Sequence, residues 1–400
     1  ASAERLGVNE RWNHHSWDTR LDEMFRWWDY AVPSVHAEPP NLVEPLPARL
    51  AMVPKTLKTP RLIAIEPSYR MFVQQGLLEK IEQFASASPL WPIMGWRDQE
   101  PNRRLCREAS SGSHATIDLS EASDRVSLEH AAALTKHHQF LWKCIMSCRS
   151  SDIELPSGEI HRLRKFASMG SALCFPVESM VFTTIVLGAI ARERKEDIRS
   201  VAQWAVGRVR VYGDDIIVPV DYAIAVTREL ESNGLRVNSG KSFWTGLFRE
   251  SCGAEYYSGS DVTYVKARRV LPTHRDDTAG IVSAVELRNQ LYLRGWLATT
   301  NHIDTTLERV LPLRDAPVGH PSLSKWSFDP RSRVRFNPDR HSMEIKVHAI
   351  HAIKPVDRLD GYGALSKFFW KRGRLPRELD HLERAGRSQS VCIKTGWQPL

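Results

Sequence analysis

The feature that most constrains this chain is residues 209–218, where two β-branched, apolar segments flank Gly213-Asp214-Asp215. The pattern predicts a β-hairpin with a tight acidic turn. Two carboxylates about 4 Å apart repel each other by roughly 4 kcal/mol at an effective dielectric constant of about 20. A bound divalent cation removes that cost, so we expect a Mg²⁺ site at the hairpin tip. The alternative is an ordinary polar surface turn, since turns favour Gly and Asp.

A second acidic position lies at the end of a predicted strand. Residues 114–120 have the pattern of a strand that contains Asp118, and strand ends are where sheet proteins gather ligand-binding residues. Ser127 is then placed to N-cap a helix over residues 128–148. An adjacent strand would bring Asp118 to Asp214, and such carboxylates hold two Mg²⁺ ions about 3.5–4 Å apart for phosphoryl transfer. The alternative is that Asp118 caps a helix.

Sequence blocks around these aspartates form an ordered series. They include Ile117-Asp118-Leu119-Ser120, Ser168-Met169-Gly170, Tyr212-Gly213-Asp214-Asp215 and Glu250-Ser251-Cys252-Gly253, preceded by Val53-Pro54-Lys55 and Ile65-Glu66-Pro67. A lone Gly-Asp-Asp carries little information, whereas ordered blocks are specific. In this order they resemble the palm motifs of RNA-dependent RNA polymerases. They are most similar to the replicase catalytic (beta) subunit of single-stranded RNA bacteriophages, the leviviruses, over roughly residues 50–270.

The resemblance implies an α+β, right-hand polymerase fold with an antiparallel palm sheet flanked by helices. The expected division is fingers over 1–113, palm over 114–149, a fingers insertion over 150–167, palm over 168–275, and a thumb and C-terminal region over 276–400. The chain begins with Ala1 rather than Met, and family members carry more sequence before the nucleotide-binding cluster. We therefore expect the fingers to be incomplete at the N-terminus.

The resemblance also assigns the acidic residues. It implies that Asp118 and Asp214 bind the catalytic metals and that Asp215 assists them. The expected cofactor is a pair of Mg²⁺ ions, with Mn²⁺ as a substitute. Lys241 follows a predicted helix over 221–232, and in polymerases a lysine in this neighbourhood protonates the leaving pyrophosphate. The alternative for Lys241 is an ordinary surface lysine after a loop.

Nucleotide-binding residues follow from the same resemblance. Lys55, Lys58 and Arg61 form a basic cluster that in the family cradles the triphosphate, because cations there neutralise the leaving group. The alternative is a solvated basic face. Asp124 corresponds to the aspartate that recognises the ribose 2′-hydroxyl, which distinguishes RNA from DNA precursors.

The block around Gly170 and Ser171 is also expected to bind the nucleotide, because a glycine allows a close backbone approach. Here the chain departs from the wider polymerase pattern. Met169, Cys174 and Glu178 occupy positions where many RNA polymerases have Ser, Thr and Asn. The phage replicases share the Met and the Glu, so Cys174 is the remaining departure.

Composition agrees with a nucleic-acid enzyme. The chain has 55 Lys and Arg against 47 Asp and Glu, a net charge of +8, and basic residues track phosphates. Arg103, Arg104 and Arg107 would line a template channel or a solvated loop, and the basic stretch 371–374 would contact the product duplex. The six cysteines form no disulfide or zinc framework, which fits a reducing cytoplasm. We find no apolar stretch of about 20 residues and expect no membrane span.

The predicted function is template-directed RNA synthesis that replicates a single-stranded RNA phage genome in the host bacterial cytoplasm. The expected partners are the single-stranded RNA template, the RNA product and nucleoside triphosphates. Resemblance adds host translation elongation factors as subunits. Two alternatives stay open: a reverse transcriptase-like polymerase and a non-catalytic RNA-binding protein with a polymerase shape. A reverse transcriptase typically carries a bulky side chain where this chain has Asp124.

Overall fold

The computed structural model describes residues 16–27, 41–54, 60–352, 362 and 391–400. The chain divides into two compact units between Thr263 and Tyr264. The first unit begins at residue 11, and the second contains residues 264–400. The acidic positions singled out in the sequence all lie in the first unit.

The first unit alternates short strands with helices. Its strands are β1 (Ser16–Asp18), β2 (Asn41–Val43), β3 (Ala48–Pro54), β4 (Pro60–Ile65), β5 (His114–Asp118), β6 (Asp152–Glu154), β7 (Ile160–Arg162), β8 (Arg210–Tyr212), β9 (Asp215–Pro219), β10 (Phe248–Ser251), β11 (Ala254–Tyr257) and β12 (Ser260–Asp261). Its helices are α1 (Thr19–Asp22), α2 (Ser68–Ser86), α3 (Trp91–Met94), α4 (Glu100–Ala109), α5 (Ala122–Arg125), α6 (Leu128–Thr135), α7 (Gln139–Cys148), α8 (Cys174–Arg194), α9 (Ile198–Ala205) and α10 (Ala223–Ser232).

An antiparallel sheet in the order β5-β9-β8 lies at the centre of this unit. Its β-branched side chains suit a pleated, buried surface, and Ile117, Val211 and Ile216 are at most 1 % exposed. Helix α8 packs against β8 and α10 and adds Phe182 to the same core. The predicted α+β class, with an antiparallel sheet flanked by helices, is therefore confirmed.

The helix predicted over residues 128–148 is wrong in one respect, because it is two helices. Ser127 caps α6 as expected and accepts a hydrogen bond from the His130 amide at 3.3 Å. At the other end of α6, the Thr135 hydroxyl turns back onto the Ala131 carbonyl. The chain leaves the helical conformation at His138 (φ −129°, ψ 65°), and α7 begins after it. Asp118 ends β5 and caps no helix.

A second sheet, in the order β4-β3-β6-β7, carries the strand that contains Arg61. Strands β3 and β4 pair antiparallel, and β3 pairs parallel with β6. The segment predicted as a fingers insertion forms the β6–β7 hairpin. It turns at Gly158 with a φ of +88°, a conformation that glycine adopts without strain.

Helix α4 supports the β10–β11–β12 sheet. Arg103 donates to the Cys252 carbonyl at 3.2 Å, and Arg107 donates to the Gly259 carbonyl at 2.9 Å. These arginines therefore lie on a helix, rather than in the solvated loop of the alternative, and two of the three hold the turns of a neighbouring sheet.

Helix α8 is, among the described residues, the one helix long and apolar enough to cross a membrane. The expectation that the sequence contains no such stretch is therefore wrong. The most apolar window of α8 is 67 % buried inside the protein, as in the central helix of a globular core.

The second unit combines a helix pair with short sheets. Its elements are α11 (Thr278–Leu293), α12 (Leu297–Val310), β13 (Asp315–Pro317), β14 (Lys325–Ser327), β15 (Val334–Asn337), β16 (Ser342–Ala352) and β17 (Val391–Pro399). Arg288 of α11 forms an ion pair with Asp304 of α12 at 3.0 Å. Helix α11 and strands β13–β15 all lie in the region expected to form the thumb and C-terminal region. The basic stretch 371–374 lies outside the described residues.

Candidate active site

The candidate site begins at one edge of the central sheet, where strand pairing brings two distant aspartates together. Asp118 ends β5 and lies directly opposite Asp215, the first residue of β9. Directly opposed residues of antiparallel strands project to the same face. Asp214 occupies the turn just before β9. The sequence prediction that Asp118 and the hairpin converge is met by this geometry.

The hairpin turn consists of two residues, Gly213 and Asp214, because Tyr212 pairs with Asp215. Gly213 has a φ of +57°. Glycine at the first central position is typical of a type II′ turn, whose twist matches the flanking strands. The turn thus fixes Asp214 between two strands.

Helix α8 holds this turn from the other side. The Ser179 hydroxyl accepts a hydrogen bond from the Gly213 amide at 3.1 Å and donates to the Phe175 carbonyl at 2.9 Å. A Cβ on Gly213 would lie 2.1 Å from the Phe175 ring, which also stacks edge-on against Tyr212 at 5.0 Å between centroids. Only glycine fits here without displacing the aromatic ring.

The carboxylates at this edge raise each other's proton affinity. Burial raises the pKa of Asp215 to about 6, and the charges of Asp214 and Asp118 add to the rise, while a backbone hydrogen bond from Cys252 opposes it. Burial also raises the pKa of Asp118, with a further contribution from Asp214 and an opposing hydrogen bond from Asn238. The hydrogen bonds from Asn238 and Cys252 therefore only partly offset the effects of burial and of the neighbouring aspartates on these two carboxylates.

Two residues that sequence reasoning did not single out position Asp118. The Asn238 side-chain amide donates to Asp118 Oδ2 at 2.8 Å, and the Ser242 hydroxyl accepts from the Asp118 amide at 3.1 Å. Asn238 and Ser242 lie three residues before and one residue after Lys241. Their closeness to this candidate residue is the one sequence feature that could have identified them. They fix the Asp118 carboxylate before any ligand binds.

Lys241 lies beside the acidic cluster. Its Nζ is 3.8 Å from a Glu250 carboxylate oxygen. Burial lowers the pKa of Lys241, but Glu250 and the three aspartates outweigh it and raise the pKa above the ordinary value. Lys241 therefore carries a proton at neutral pH close to the aspartates, as a proton donor must.

Glu178 is a second buried carboxyl near the site. It is 3 % exposed, and burial raises its pKa to about 8, helped by Asp214 and Asp124 and opposed by a hydrogen bond from Ser123. Its Oε2 has no hydrogen-bond partner among the described residues. The sequence identified Glu178 only as a departure from the wider polymerase pattern. Its carboxyl group is therefore close enough to interact with both Asp214 and Asp124.

Asp124 does not join the three aspartates but pairs with a lysine. Its carboxylate forms an ion pair with Lys165. Both side chains line a cavity of about 200 Å³ that also borders β3, β4 and β6. Sequence reasoning missed Lys165, which lies near the end of the predicted fingers insertion over 150–167.

Gly170 and Ser171 contact protein in this structure. Gly170 has a φ of +117°, and a Cβ there would lie 2.0 Å from the Ala64 carbonyl oxygen. The Met169 carbonyl accepts a hydrogen bond from the Ala64 amide at 2.7 Å. Gln74 accepts from the Ser171 hydroxyl at 3.1 Å. The glycine thus allows a close approach to strand β4.

The basic cluster is only partly visible. Arg61 is exposed on β4, opposite Val53. Lys55 and Lys58 lie outside the described residues, so their placement near the acidic edge stays a prediction.

The donor set of this edge fits a divalent cation. Carboxylate oxygens are the ligands that Mg²⁺ and Mn²⁺ prefer, and burial followed by the neighbouring aspartate charges raises the pKa of both Asp118 and Asp215. No group of three His, Cys, Asp or Glu side chains within the described ranges forms a ready-made cage. Mg²⁺ sites built from one or two carboxylates usually take further ligands from substrate phosphates and water.

Solved structures similar to this chain include viral RNA-dependent RNA polymerases and telomerases from Candida species. A polymerase of a human picorbirnavirus aligns at 14 % identity and a TM-score of 0.45, covering 66 % of this chain and 57 % of that one. An insertion-loop deletion mutant of such a polymerase aligns at 12 % identity and a TM-score of 0.43, with coverage of 64 % and 56 %.

Comparison with curated proteins gives phage polymerase subunits. The RNA-directed RNA polymerase subunit beta of Qbeta virus (strain MX1) is 38 % identical over 224 residues, which cover 55 % of this chain and 36 % of that protein. The RNA-directed RNA polymerase beta chain of Escherichia phage MS2 is 34 % identical over 217 residues, with coverage of 54 % and 37 %. The matched part of this chain thus spans about a third of the length of these relatives.

The family model described as RNA replicase, beta-chain, matches residues 45–291. This range contains every described site residue named above and the whole central sheet. It confirms the predicted family. The chain belongs to the RNA replicase beta-chain family.

Proposed function

We propose that this chain carries the catalytic centre of an RNA-directed RNA polymerase that replicates a single-stranded RNA phage genome. The 3′-hydroxyl of the growing strand attacks the α-phosphate of a nucleoside triphosphate. A new phosphodiester bond forms, the bond between the α- and β-phosphates breaks, and pyrophosphate leaves. The observation that supports this most directly is the meeting of Asp118, Asp214 and Asp215 at one edge of the sheet.

The three aspartates are the proposed metal site. Asp118 and Asp214 would hold two Mg²⁺ ions, or Mn²⁺ in their place, with Asp215 assisting, and the ions would supply charge stabilisation at the reacting phosphate. Asn238 keeps the Asp118 carboxylate in a fixed orientation through its 2.8 Å hydrogen bond. Preorganised groups of this kind lower the barrier because they need not reorient during the reaction.

Basic residues act on the leaving group. Arg61, together with Lys55 and Lys58, would neutralise the triphosphate oxygens. Lys241 would donate its proton to the pyrophosphate, and general acids of this kind contribute about 10²–10⁴-fold to rate. The raised pKa of Lys241 supports a protonated resting state.

The sugar side favours a ribonucleotide. Asp124 would accept a hydrogen bond from the ribose 2′-hydroxyl, with Gly170 and Ser171 forming the adjoining wall. A short carboxylate leaves room for that hydroxyl, whereas a bulky side chain would exclude it. This observation weighs against the reverse transcriptase-like alternative.

The domain assignment accompanies this function. We assign fingers to residues 1–113 and 150–167, palm to 114–149 and 168–275, and thumb to 276–400. The central sheet, which carries the aspartates, is the proposed palm. Strands β3 and β4, which carry Arg61, belong to the proposed fingers.

The proposed partners are the single-stranded RNA template, the RNA product and nucleoside triphosphates. The relatives are named beta subunits or chains, which is consistent with additional subunits. Resemblance suggests host translation elongation factors for that role, in the host bacterial cytoplasm.

The test is extension of a primed RNA template with ribonucleotides and Mg²⁺, comparing the unaltered chain with Asp214→Asn. We expect extension to fall by at least about a hundredfold, as when a group that stabilises transition-state charge is lost. Asp221→Asn is the matched control, because Asp221 is exposed and follows β9 outside the site. It should extend the primer normally.

Equal extension by the Asp214 variant would contradict the proposed site. Extension with deoxyribonucleotides only would favour the reverse transcriptase-like alternative. RNA binding without extension, unaffected by Mg²⁺, would favour a non-catalytic protein.

A further inference from the structure

The cavity beside Asp124 is distinct in character from the acidic edge. It has a volume of about 200 Å³, the volume of about seven water molecules at about 30 Å³ each. Leu50, Leu62 and Ile153 form its apolar wall, and Asp124, Lys165 and Ser168 form its polar wall. A small apolar pocket with a few convergent polar groups is the usual form of a ligand site.

One polar group in this wall lacks a partner. Ser168 is 4 % exposed, and its hydroxyl has no hydrogen-bond partner among the described residues. Buried hydroxyl groups are nearly always bonded, so an unpartnered one needs an explanation. This oxygen is shielded from solvent, so the polar side chains that a ligand in the cavity can reach are Asp124 and Lys165.

The backbone beneath Lys165 is held rigidly. The buried Arg149 guanidinium donates to the carbonyls of Phe166 at 2.6 Å, Lys165 at 2.8 Å and Leu163 at 2.9 Å. The Phe166 amide donates to the Val126 carbonyl at 2.7 Å, two residues after Asp124. Both partners of the Lys165–Asp124 ion pair therefore start from fixed backbone positions.

This ion pair contributes little to folding. The side chains of Lys165 and Asp124 are 22 % and 46 % exposed, and partly solvated pairs of this kind add little stability. The buried Arg149 nevertheless holds the backbone at Lys165 in place. We take this as a sign that Lys165 acts in ligand binding rather than in folding.

We propose that Lys165 is a specificity-determining residue that sets the preference for ribonucleotides through Asp124. The inference rests on the proposed function. Lys165 occupies Asp124 Oδ1, which leaves Oδ2 of this cavity-lining residue to accept the 2′-hydroxyl. An ammonium group only donates hydrogen bonds, so Lys165 cannot replace Asp124 as the acceptor.

A 2′-deoxyribonucleotide brings no donor to Asp124 Oδ2. A site built around a substrate hydroxyl rejects the analogue that lacks it, because its own polar group is left unpaired. Without Lys165, the Asp124 carboxylate would rotate into solvent, and both sugars would meet a similar surface. Selectivity would fall mainly through weaker binding of the ribonucleotide.

The experiment compares Lys165→Met with Lys165→Arg in the full chain. Two quantities are measured with ATP and 2′-deoxyATP: kcat/KM for incorporation into a primed RNA, and the Kd for binding in the presence of Mg²⁺. We define the selectivity ratio as kcat/KM for ATP divided by kcat/KM for 2′-deoxyATP. We expect Lys165→Met to reduce this ratio by about tenfold or more, because a hydrogen bond to a charged group contributes about that much. Lys165→Arg keeps the charge and should stay within about threefold of the unaltered ratio.

Two further variants complete the design. Lys325→Met removes a lysine that pairs with Glu308 and Asp315 in the second unit and should leave the ratio unchanged. Asp124→Asn should lower the ratio, and adding Lys165→Met to it should lower the ratio no further, since interacting residues are not additive. Circular dichroism and Tm show whether each variant is folded.

The outcomes separate this inference from the proposed function. RNA synthesis with an unchanged ratio in folded Lys165→Met overturns the role of Lys165 and leaves the polymerase intact. A chain that binds and incorporates both sugars equally before any substitution also overturns it. If the unaltered chain neither binds nucleotides nor extends the primer, both proposals fall.

Discussion

Asp118 and Asp215 lie directly opposite each other on β5 and β9, so two carboxylates share one face of a buried sheet. The β8–β9 turn places Asp214 beside them. Burial of Ile117 and Ile216 fixes the register of the two strands. A shift of one residue would move the buried side chains of the shifted strand to the opposite face of the sheet. The core thus determines the spacing of the charges.

Divalent cations should stabilise the protein in a pH-dependent way. Metal binding must displace the proton from Asp215, whose pKa is about 6, so binding weakens as pH falls through that value. At pH 7.5 and a metal concentration of about 100 times the Kd, we expect the Tm to rise by roughly 5–10 °C. The rise should be much smaller at pH 5. The measurement is differential scanning calorimetry with Mg²⁺ or Mn²⁺ at constant ionic strength, and an equal rise in Asp214→Asn would contradict it.

Glu178→Gln should stabilise the metal-free protein at high pH. The pKa of Glu178 is about 8 in the folded protein, above the ordinary value of about 4.3 for an unfolded chain. The folded state therefore holds the proton more tightly, and this contribution is fully present below about pH 4 and lost as pH rises through about 8. Relative to the unaltered protein, the free energy of unfolding of the Gln variant should improve by about 1–3 kcal/mol between pH 5 and pH 9.

Urea unfolding at several pH values measures this difference. Glu231→Gln is the control, because Glu231 is exposed at the end of α10 and should show no such divergence. Parallel curves for the Glu178 variant and the unaltered protein would mean that the buried carboxyl is not protonated at neutral pH.

Gly213→Ala should cost more stability than the same change at Gly207. Both glycines have a positive φ, which costs an L-residue about 1–2 kcal/mol. A Cβ at Gly207 meets open space, whereas one at Gly213 meets the Phe175 ring. We expect an additional loss of about 1–3 kcal/mol at Gly213 from overpacking, together with reduced primer extension. Equal losses at the two positions would show that Phe175 moves aside freely.

Gln74→Leu should loosen the Ser171 loop. The Gln74 side chain bonds to the Ser171 hydroxyl, the Ala172 amide and the Cys148 carbonyl, and breaking bonds of a buried group costs about 1–3 kcal/mol. We expect a raised KM for nucleotides with a smaller change in kcat. Gln75→Leu is the matched control, because its side chain is exposed on the same helix. An unchanged KM would show that this loop does not shape the nucleotide site.

Motifs and pattern predicted the centre of the molecule well. The β8–β9 hairpin and the end of β5 at Asp118 follow from local periodicity and turn chemistry, whereas the long apolar helix α8 contradicts the expectation of no such stretch. The break between α6 and α7 does not follow from local periodicity, because it depends on how Thr135 and His138 sit in the folded chain. An apolar helix that crosses a membrane and one that is buried in a protein core have the same sequence pattern. Only the fold shows that α8 is a core helix.

The supporting residues were harder to predict than the aspartates. Lys165, Gln74 and Asn238 act through partners 41, 97 and 120 positions away. Contacts at such separations depend on tertiary structure, and no local pattern encodes them. The aspartates were predictable from sequence because neighbouring carboxylates repel each other. A bound cation or a proton relieves that repulsion, so the acidic pair itself indicates a site.

Phe175, Glu178 and Ser179 lie within little more than one turn of α8. Phe175 and Ser179 hold the turn that carries Asp214, and Glu178 reaches Ser123 beside Asp124. This turn of α8 therefore sets the distance between the turn that carries Asp214 and the segment that carries Asp124. Inserting or deleting one residue there would rotate everything beyond it by about 100° and shift it by about 1.5 Å. Substitutions in this turn can be compensated by neighbours, but a change in its length cannot.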